Sequence, residues 1–257
     1  MPRFSTLVLA LLFALPLSAA NEAPVATILC YHEVDAAPAH ETIPRRTASG
    51  DATSEQLRYT ATPEQFREEL DYLDRHDYHV VALADLVDFL KGRRASLPAK
   101  AVVITVDDGW LCAYTEIFPE LGRRKMPWTL FVYPQIVGRG AHAVTWEQIA
   151  EMAEAGVDVE SHTYTHPFLT QTNDLDRELA GSREAIEEKT GKPVCFLSYP
   201  YGDYDPTVIA AAEADGYEAA VTTSRAPIAP STSPLALTRY LIHNDTTLEE
   251  FKTFLLR

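Results

Sequence analysis

The chain has 257 residues and a formal net charge of −15 at pH 7, with 22 Lys and Arg set against 37 Asp and Glu. Such an excess of acid argues against a nucleic-acid or anionic-membrane partner, because phosphate binding needs clustered cations. It is compatible with a neutral or cationic ligand, and equally with plain solubility. The length suffices for one large α/β domain with a substantial core.

At the amino terminus, Arg3 precedes an apolar run from Leu7 to Leu17 that is interrupted at Pro16 and followed by Ser18-Ala19-Ala20. This is the layout of a secretory signal cut after Ala20. The run falls short of the ~20 residues of a spanning helix. We therefore expect a signal peptide over residues 1–20, one domain over 21–257, and no transmembrane segment after cleavage. The mature chain would be exported, to the periplasm or outside the cell. Its three cysteines, Cys30, Cys112 and Cys195, are an odd set that leaves at least one thiol unpaired. No CxxC pair is present, so a cysteine zinc site is not expected.

Short apolar runs then alternate with helical patterns. In chain order the expected strands are Thr27–Tyr31, Val80–Val81, Ala101–Val106, Thr129–Tyr133, Val157–Glu160, Phe196–Tyr199, Glu218–Thr222 and Leu237–Ile242. The polar stretch Asp35–Thr60 has no sustained period and reads as a long loop beside the site or as a partly disordered segment. Thr62-Pro63-Glu64-Gln65 opens a helix with an N-cap, a proline at the first position and a capping-box glutamine. Thr145-Trp146-Glu147-Gln148 opens a second in the same way, with Gly156 after its end. Leu175, Leu179 and Ile186 mark another before Gly191, and Asp205-Pro206 starts one that stops before Gly216. Repeated strand–helix alternation implies a mainly parallel sheet, and eight strands favour a distorted (β/α) barrel in a single domain.

In such a barrel, loops at the carboxyl ends of the strands converge on one face. Asp107 and Asp108 follow Ala101–Val106, and His162 and His166 follow Val157–Glu160. Two imidazoles and a carboxylate leave coordination positions open, as a catalytic rather than a structural metal requires. The second carboxylate is then available to take a proton from the attacking water. An Asp-Asp-Gly turn or an HxxxH spacing alone is weak; their joint placement after two strands is specific.

Thr105-Val106-Asp107-Asp108-Gly109 followed by Ser161-His162-Thr163-Tyr164-Thr165-His166 resembles the first two motifs of the polysaccharide deacetylases, the NodB-homology or carbohydrate esterase family 4 enzymes. The resemblance implies a NodB-type barrel in which Asp107 is the catalytic base and Asp108, His162 and His166 are the metal triad. It implies a divalent metal, zinc first, with cobalt, nickel or iron also suited to this donor set. The family's third motif, Arg-x-Pro-Tyr-Gly, appears as Ser198-Tyr199-Pro200-Tyr201-Gly202. The backbone N–H of Tyr201 would serve as oxyanion donor, while the arginine that orients the base is replaced by Ser198. No match to the fourth motif is found near Val221–Arg225.

For the general acid there are two segments. Leu241-Ile242-His243 has the literal spacing of the family's fifth motif, whereas Ile28–His32 is a better apolar strand ending in histidine. The latter resembles the poly-β-1,6-N-acetylglucosamine N-deacetylase branch, in which this strand is permuted to the front, as does the closing stretch Thr238-Arg239-Tyr240-Leu241-Ile242. His32 is preferred, with His243 as the alternative. Trp110, Tyr201 and Pro200 adjoin the motifs and are candidates to contact sugar, as are Tyr164, Phe168 and Tyr204 more weakly. The reaction implied is removal of N-acetyl groups from an N-acetylglucosamine polymer, most simply the biofilm polysaccharide poly-β-1,6-N-acetylglucosamine. The alternatives are peptidoglycan, chitin oligomers or acetyl-xylan as substrate, or a barrel that binds carbohydrate after losing catalysis.

Overall fold

A computed structural model describes residues 22–35 and 58–256. The expected signal peptide and most of the Asp35–Thr60 stretch lie outside the described residues. Ten strands are found among the described residues: β1 (Ala26–Tyr31), β2 (Glu33–Val34), β3 (Thr60–Ala61), β4 (His79–Val80), β5 (Ala101–Val106), β6 (Thr129–Val132), β7 (Asp158–Ser161), β8 (Phe196–Ser198), β9 (Ala219–Val221) and β10 (Tyr240–Leu241). Eight of them form one parallel sheet in the order β10-β1-β5-β6-β7-β8-β9, with β4 beside the start of β5. These are the eight expected strands. The β2–β3 pair was not expected, since two residues give no period to read.

The sheet curls nearly closed into a distorted barrel. Leu237 bridges Val221 of β9, and three residues later Tyr240 pairs with Leu29 of β1, so the 237–241 segment touches both ends of the sheet. Strand alternation divides the core in two. Leu29, Tyr31, Ile104, Leu130 and Leu197 pack outward in a cluster that takes in the surrounding helices. Their neighbours Ile28, Val103, Phe131, Phe196 and Val221 share a second cluster with Leu83, Leu86 and Val87 of helix Leu83–Leu90. Continuing that second parity toward the carboxyl ends gives Cys30 and His32, Thr105 and Asp107, and Ser198. The alternation that fills the barrel therefore brings polar groups to its mouth.

Helix starts follow their caps. The hydroxyl of Thr62 accepts the N–H of Gln65 at 3.1 Å, and Thr145 with Gln148 forms a reciprocal capping box. Asp205 caps Pro206–Ala214. One expectation is corrected: the Gln65 side chain does not close a capping box but reaches across to the carbonyls of His243 and Thr246, both at 3.2 Å. The helix ending at Gly191 begins as a π turn, Arg177–Gly181, before continuing as Ser182–Thr190. All three cysteines are free thiols. Among the described residues no helix is long and apolar enough to cross a membrane.

Candidate active site and metal centre

The Asp-Asp-Gly turn places two carboxylates at the mouth by strained backbone. Asp107 donates its N–H to the carbonyl of Tyr31 at 3.0 Å, extending the β1–β5 ladder by one step. Asp108 then turns at φ 82° and Gly109 at φ 95°. A Cβ on Gly109 would lie 2.7 Å from Cγ2 of Val132, so only glycine fits. Just past β7, on the far side of β6, His162 donates its N–H to the carbonyl of Val132, and the following loop carries two more left-handed residues, Thr163 and His166. Left-handed non-glycine residues persist only where surrounding contacts over-determine them, and such strain clusters at functional sites.

Asp108, His162 and His166 present ligand atoms that all lie within 4.8 Å of one another. Nε2 of His162 is 3.6 Å and Nε2 of His166 3.5 Å from Oδ1 of Asp108. Nδ1 of His162 is 2.7 Å from the carbonyl of Ser198. A carbonyl only accepts, so Nδ1 carries the proton and Nε2 keeps its lone pair facing Asp108. The other oxygen of Asp108 accepts the indole N–H of Trp110 at 3.0 Å. Two imidazole nitrogens and one carboxylate oxygen, with His162 and Asp108 held from behind, fit a borderline divalent cation such as zinc.

Asp107 is held differently. Arg239, 1% exposed, faces it in a bidentate pair, Nη1 to Oδ1 at 2.8 Å and Nη2 to Oδ2 at 2.7 Å. The guanidinium also donates to Oγ1 of Thr105, Oγ of Ser198 and, through Nε, the carbonyl of Thr222. Each of its five N–H groups thus meets an acceptor, the condition for burying a guanidinium without a net penalty. Ser198 in turn donates to Oδ2 of Asp107 at 3.0 Å. Burial alone would raise the Asp107 pKa. The charge of Arg239 and its hydrogen bonds outweigh it and hold the carboxyl far below the usual range.

One cleft collects His32, Asp107, Asp108, Trp110, His162 and His166, with Tyr201 at its rim. His32 follows β1 with Nδ1 3.8 Å from Sγ of Cys30, and its ring lies 4.9 Å from that of Tyr59. Burial lowers its pKa, against the raising influence of Asp107 and Asp108. His243 is not part of the cleft lining; it stands behind Tyr59, ring to ring at 5.2 Å. Pro200 is buried and likewise outside the lining, whereas Tyr201 is 51% exposed with φ 61°. The Tyr201 ring stacks on Phe168 at 4.2 Å and meets His166 edge-on at 4.7 Å. Trp110 is 4% exposed, so its contact with Asp108 is better defined than any face offered to a sugar. Tyr164 and Tyr204 do not line the cleft.

Sequence reasoning assigned no role to several contributors. Arg239 is the largest; its role is signalled only indirectly, by a charged residue inside the apolar run Leu237–Ile242, which requires a buried partner, and by the resemblance of the closing stretch that carries it. Glu33 and Tyr59, at the two ends of the long polar stretch, also line the cleft. They carry no motif.

Residues 94–220 match the family model for polysaccharide deacetylase. That span contains Asp107, Asp108, His162, His166 and Ser198–Gly202, but neither His32 nor Arg239. A Bacillus subtilis protein, YxkH, whose name assigns it provisionally to the polysaccharide deacetylases, is 35% identical over 126 residues, 48% of this chain and 45% of that protein. The chain thus spans less than half the length of that relative. The poly-β-1,6-N-acetyl-D-glucosamine N-deacetylase of Staphylococcus epidermidis is 24% identical over 220 residues, 79% of this chain and 75% of the relative. Among solved structures, IcaB from Ammonifex degensii superposes with a TM-score of 0.73 at 28% identity, over 90% of this chain and 95% of that one. The Streptococcus pyogenes deacetylase PplD, in complex with acetate, shares the fold with a TM-score of 0.77 at 22% identity, over 92% and 100%. Residues 94–220 are thus a polysaccharide deacetylase domain, and the curled parallel sheet that contains them is the barrel of the NodB-homology deacetylases.

Proposed function

We propose that this protein is an exported, metal-dependent hydrolase that removes N-acetyl groups from an N-acetylglucosamine polysaccharide, with poly-β-1,6-N-acetylglucosamine as its substrate. The observation that carries the reading is the pair of adjacent aspartates with different holders: Asp108 faces both His162 and His166, while Asp107, also 3.8 Å from Nε2 of His162, is gripped by Arg239 and Ser198. A divalent cation held by Asp108, His162 and His166 would polarise the acetyl carbonyl and acidify the attacking water, which suits a base as weak as the Arg239-bound Asp107.

Asp107 takes the water's proton as the new carbon–oxygen bond forms. The Arg239 fork and the Ser198 hydroxyl keep its carboxylate ionised and aimed into the cleft. The N–H of Tyr201 steadies the oxyanion. His32 gives a proton to the sugar nitrogen as the carbon–nitrogen bond breaks, leaving acetate and a free amine. His32 is favoured over His243 because it alone of the two lines the cleft.

The β-1,6-linked substrate is supported by the names of the relatives that match most of this chain's length, and by a candidate acid at the amino-terminal strand. The binding-only reading drew on the missing motif-three arginine and the absent fourth motif; Arg239 supplies a guanidinium at Asp107 and answers the first of these. The test is acetate release by residues 21–257 with added zinc, from β-1,6- and β-1,4-linked N-acetylglucosamine oligomers of equal length. Release from the β-1,6 oligomer that EDTA abolishes supports the proposal. Preference for the β-1,4 oligomer moves the substrate to chitin or peptidoglycan, and metal binding with no release from either contradicts a deacetylase acting on these glycans.

A further inference from the structure

The loop that separates the two histidines of the metal centre is held from behind by one face of one helix. Glu178 is 4% exposed, and both its oxygens are spent on this loop. Oε2 accepts the N–H groups of Tyr164 and Thr165 at 3.0 and 2.8 Å, and Oε1 accepts the Thr165 hydroxyl at 2.7 Å. Ser182 lies four residues on, on the same helix face. Its hydroxyl donates to the carbonyl of Thr163 at 2.8 Å and lies 2.9 Å from Oγ of Ser161, which itself accepts the N–H of Thr163. The Arg177 guanidinium covers the ring of Tyr164 at 5.0 Å. The last link is internal: Thr163 Oγ1 accepts the N–H of His166 at 3.1 Å.

These contacts answer a specific need. Thr163 at φ 64° and His166 at φ 62° both occupy the left-handed region without being glycine. A loop that needs two such residues to aim one imidazole will relax unless its amides are pinned. Glu178 sits in the π turn Arg177–Gly181, a distortion that is found preferentially at functional sites. Deleting its carboxylate would leave two amides and a hydroxyl without acceptors and would free His166 to turn away from Asp108.

We propose that Glu178, seconded by Ser182, is the positioning residue of the metal centre: it touches no ligand atom, and it sets metal affinity by fixing the loop that carries His166. The inference rests on the reading of Asp108, His162 and His166 as a metal triad.

The test is zinc affinity, measured by competition with a chromophoric chelator, together with the visible absorption of the cobalt-loaded protein. Glu178→Ala is expected to weaken zinc binding roughly 10–100-fold, the usual effect of removing an outer-sphere partner, and to change the cobalt spectrum. Glu178→Gln is expected to restore both to within about 3-fold, because its amide oxygen can accept the two N–H groups while its NH2 donates to the Thr165 hydroxyl. A role in fold stability alone would lower the melting temperature and leave affinity and spectrum untouched. Thr165→Val deletes one contact of the three and is expected to weaken zinc about 3-fold, on the scale of one net hydrogen bond; it decides the matter if Glu178→Ala does not fold. Unaltered zinc affinity in the folded variants overturns the proposal. A wild-type protein that binds neither zinc nor cobalt contradicts the metal triad itself, so the two failures are distinguishable.

Discussion

Arg239 grips Asp107 with two parallel contacts, Nη1 to Oδ1 at 2.8 Å and Nη2 to Oδ2 at 2.7 Å, across 132 residues of sequence. The guanidinium that the family resemblance leads one to expect at position 198 comes here from the segment that closes the barrel, and Ser198 is small enough to leave it room.

Replacing Arg239 by Met is expected to lower kcat by roughly 100-fold or more while zinc affinity changes little, since a misdirected base costs orders of magnitude. Breaking a buried pair by removing one partner also destabilises the fold by about 3–5 kcal/mol. Kinetics beside a denaturant titration check both. A Ser198→Arg, Arg239→Ser double variant that regains activity over Arg239→Ser alone would show that the position of the guanidinium matters, not the strand that supplies it.

His32→Ala is expected to lower kcat roughly 100- to 10,000-fold, the range of a general acid. His243→Ala, behind Tyr59, is expected to cost less than about 3-fold, as packing support alone would. Equal losses, or the reverse order, would return the acid to the carboxyl-terminal segment.

Much of this candidate site is legible in the sequence. Asp107, Asp108, His162 and His166 sit in two contiguous stretches directly after apolar strands, and a parallel barrel fixes where strand ends go. Most of the eight strands are readable as short apolar runs, and Val157–Glu160 as an alternation of valine with acid. Arg239 was not, because its partner lies 132 residues away and strand propensity says nothing about which charge meets which. Glu178 was invisible for a similar reason: its ligands are the backbone N–H groups of Tyr164 and Thr165, which carry no sequence signal. Gln65 looked like a capping-box residue, and its side chain was claimed instead by the carbonyls of His243 and Thr246. Local chemistry proposes such contacts and tertiary packing chooses among them.

Gly109→Ala tests the turn itself. The added Cβ would meet Val132 at 2.7 Å on a backbone with φ 95°. Overpacking at a left-handed position is expected to cost about 2–4 kcal/mol and, by displacing Asp108, to weaken zinc binding in protein that remains folded. A variant that melts with the wild type would mean that the Asp-Asp-Gly turn is more pliable than its contacts indicate.

Glu69 gives a pH signature independent of the metal. Its carboxyl is buried beneath the Tyr31 hydroxyl, 2.8 Å from Oε2, and burial raises its pKa from 4.5 to about 7 against the hydrogen bonds of Tyr31 and Gln65. Between these values the folded protein holds a proton that the unfolded chain releases. Its contribution is therefore fully present below about pH 4.5 and is lost as pH rises through 7, by up to roughly 3 kcal/mol. Glu69→Gln is expected to melt close to the wild type at pH 5 and above it at pH 8. A gap that is constant with pH would contradict the buried, proton-holding carboxyl.

The most direct test of the central claim, that two neighbouring aspartates divide the work, is zinc stoichiometry and acetate release measured side by side on Asp107→Asn. The account predicts one zinc bound as tightly as in the wild type and acetate release reduced by about 1,000-fold, as for loss of an oriented general base. Asp107→Asn protein that turns over at the wild-type rate, or that loses its zinc, would contradict it.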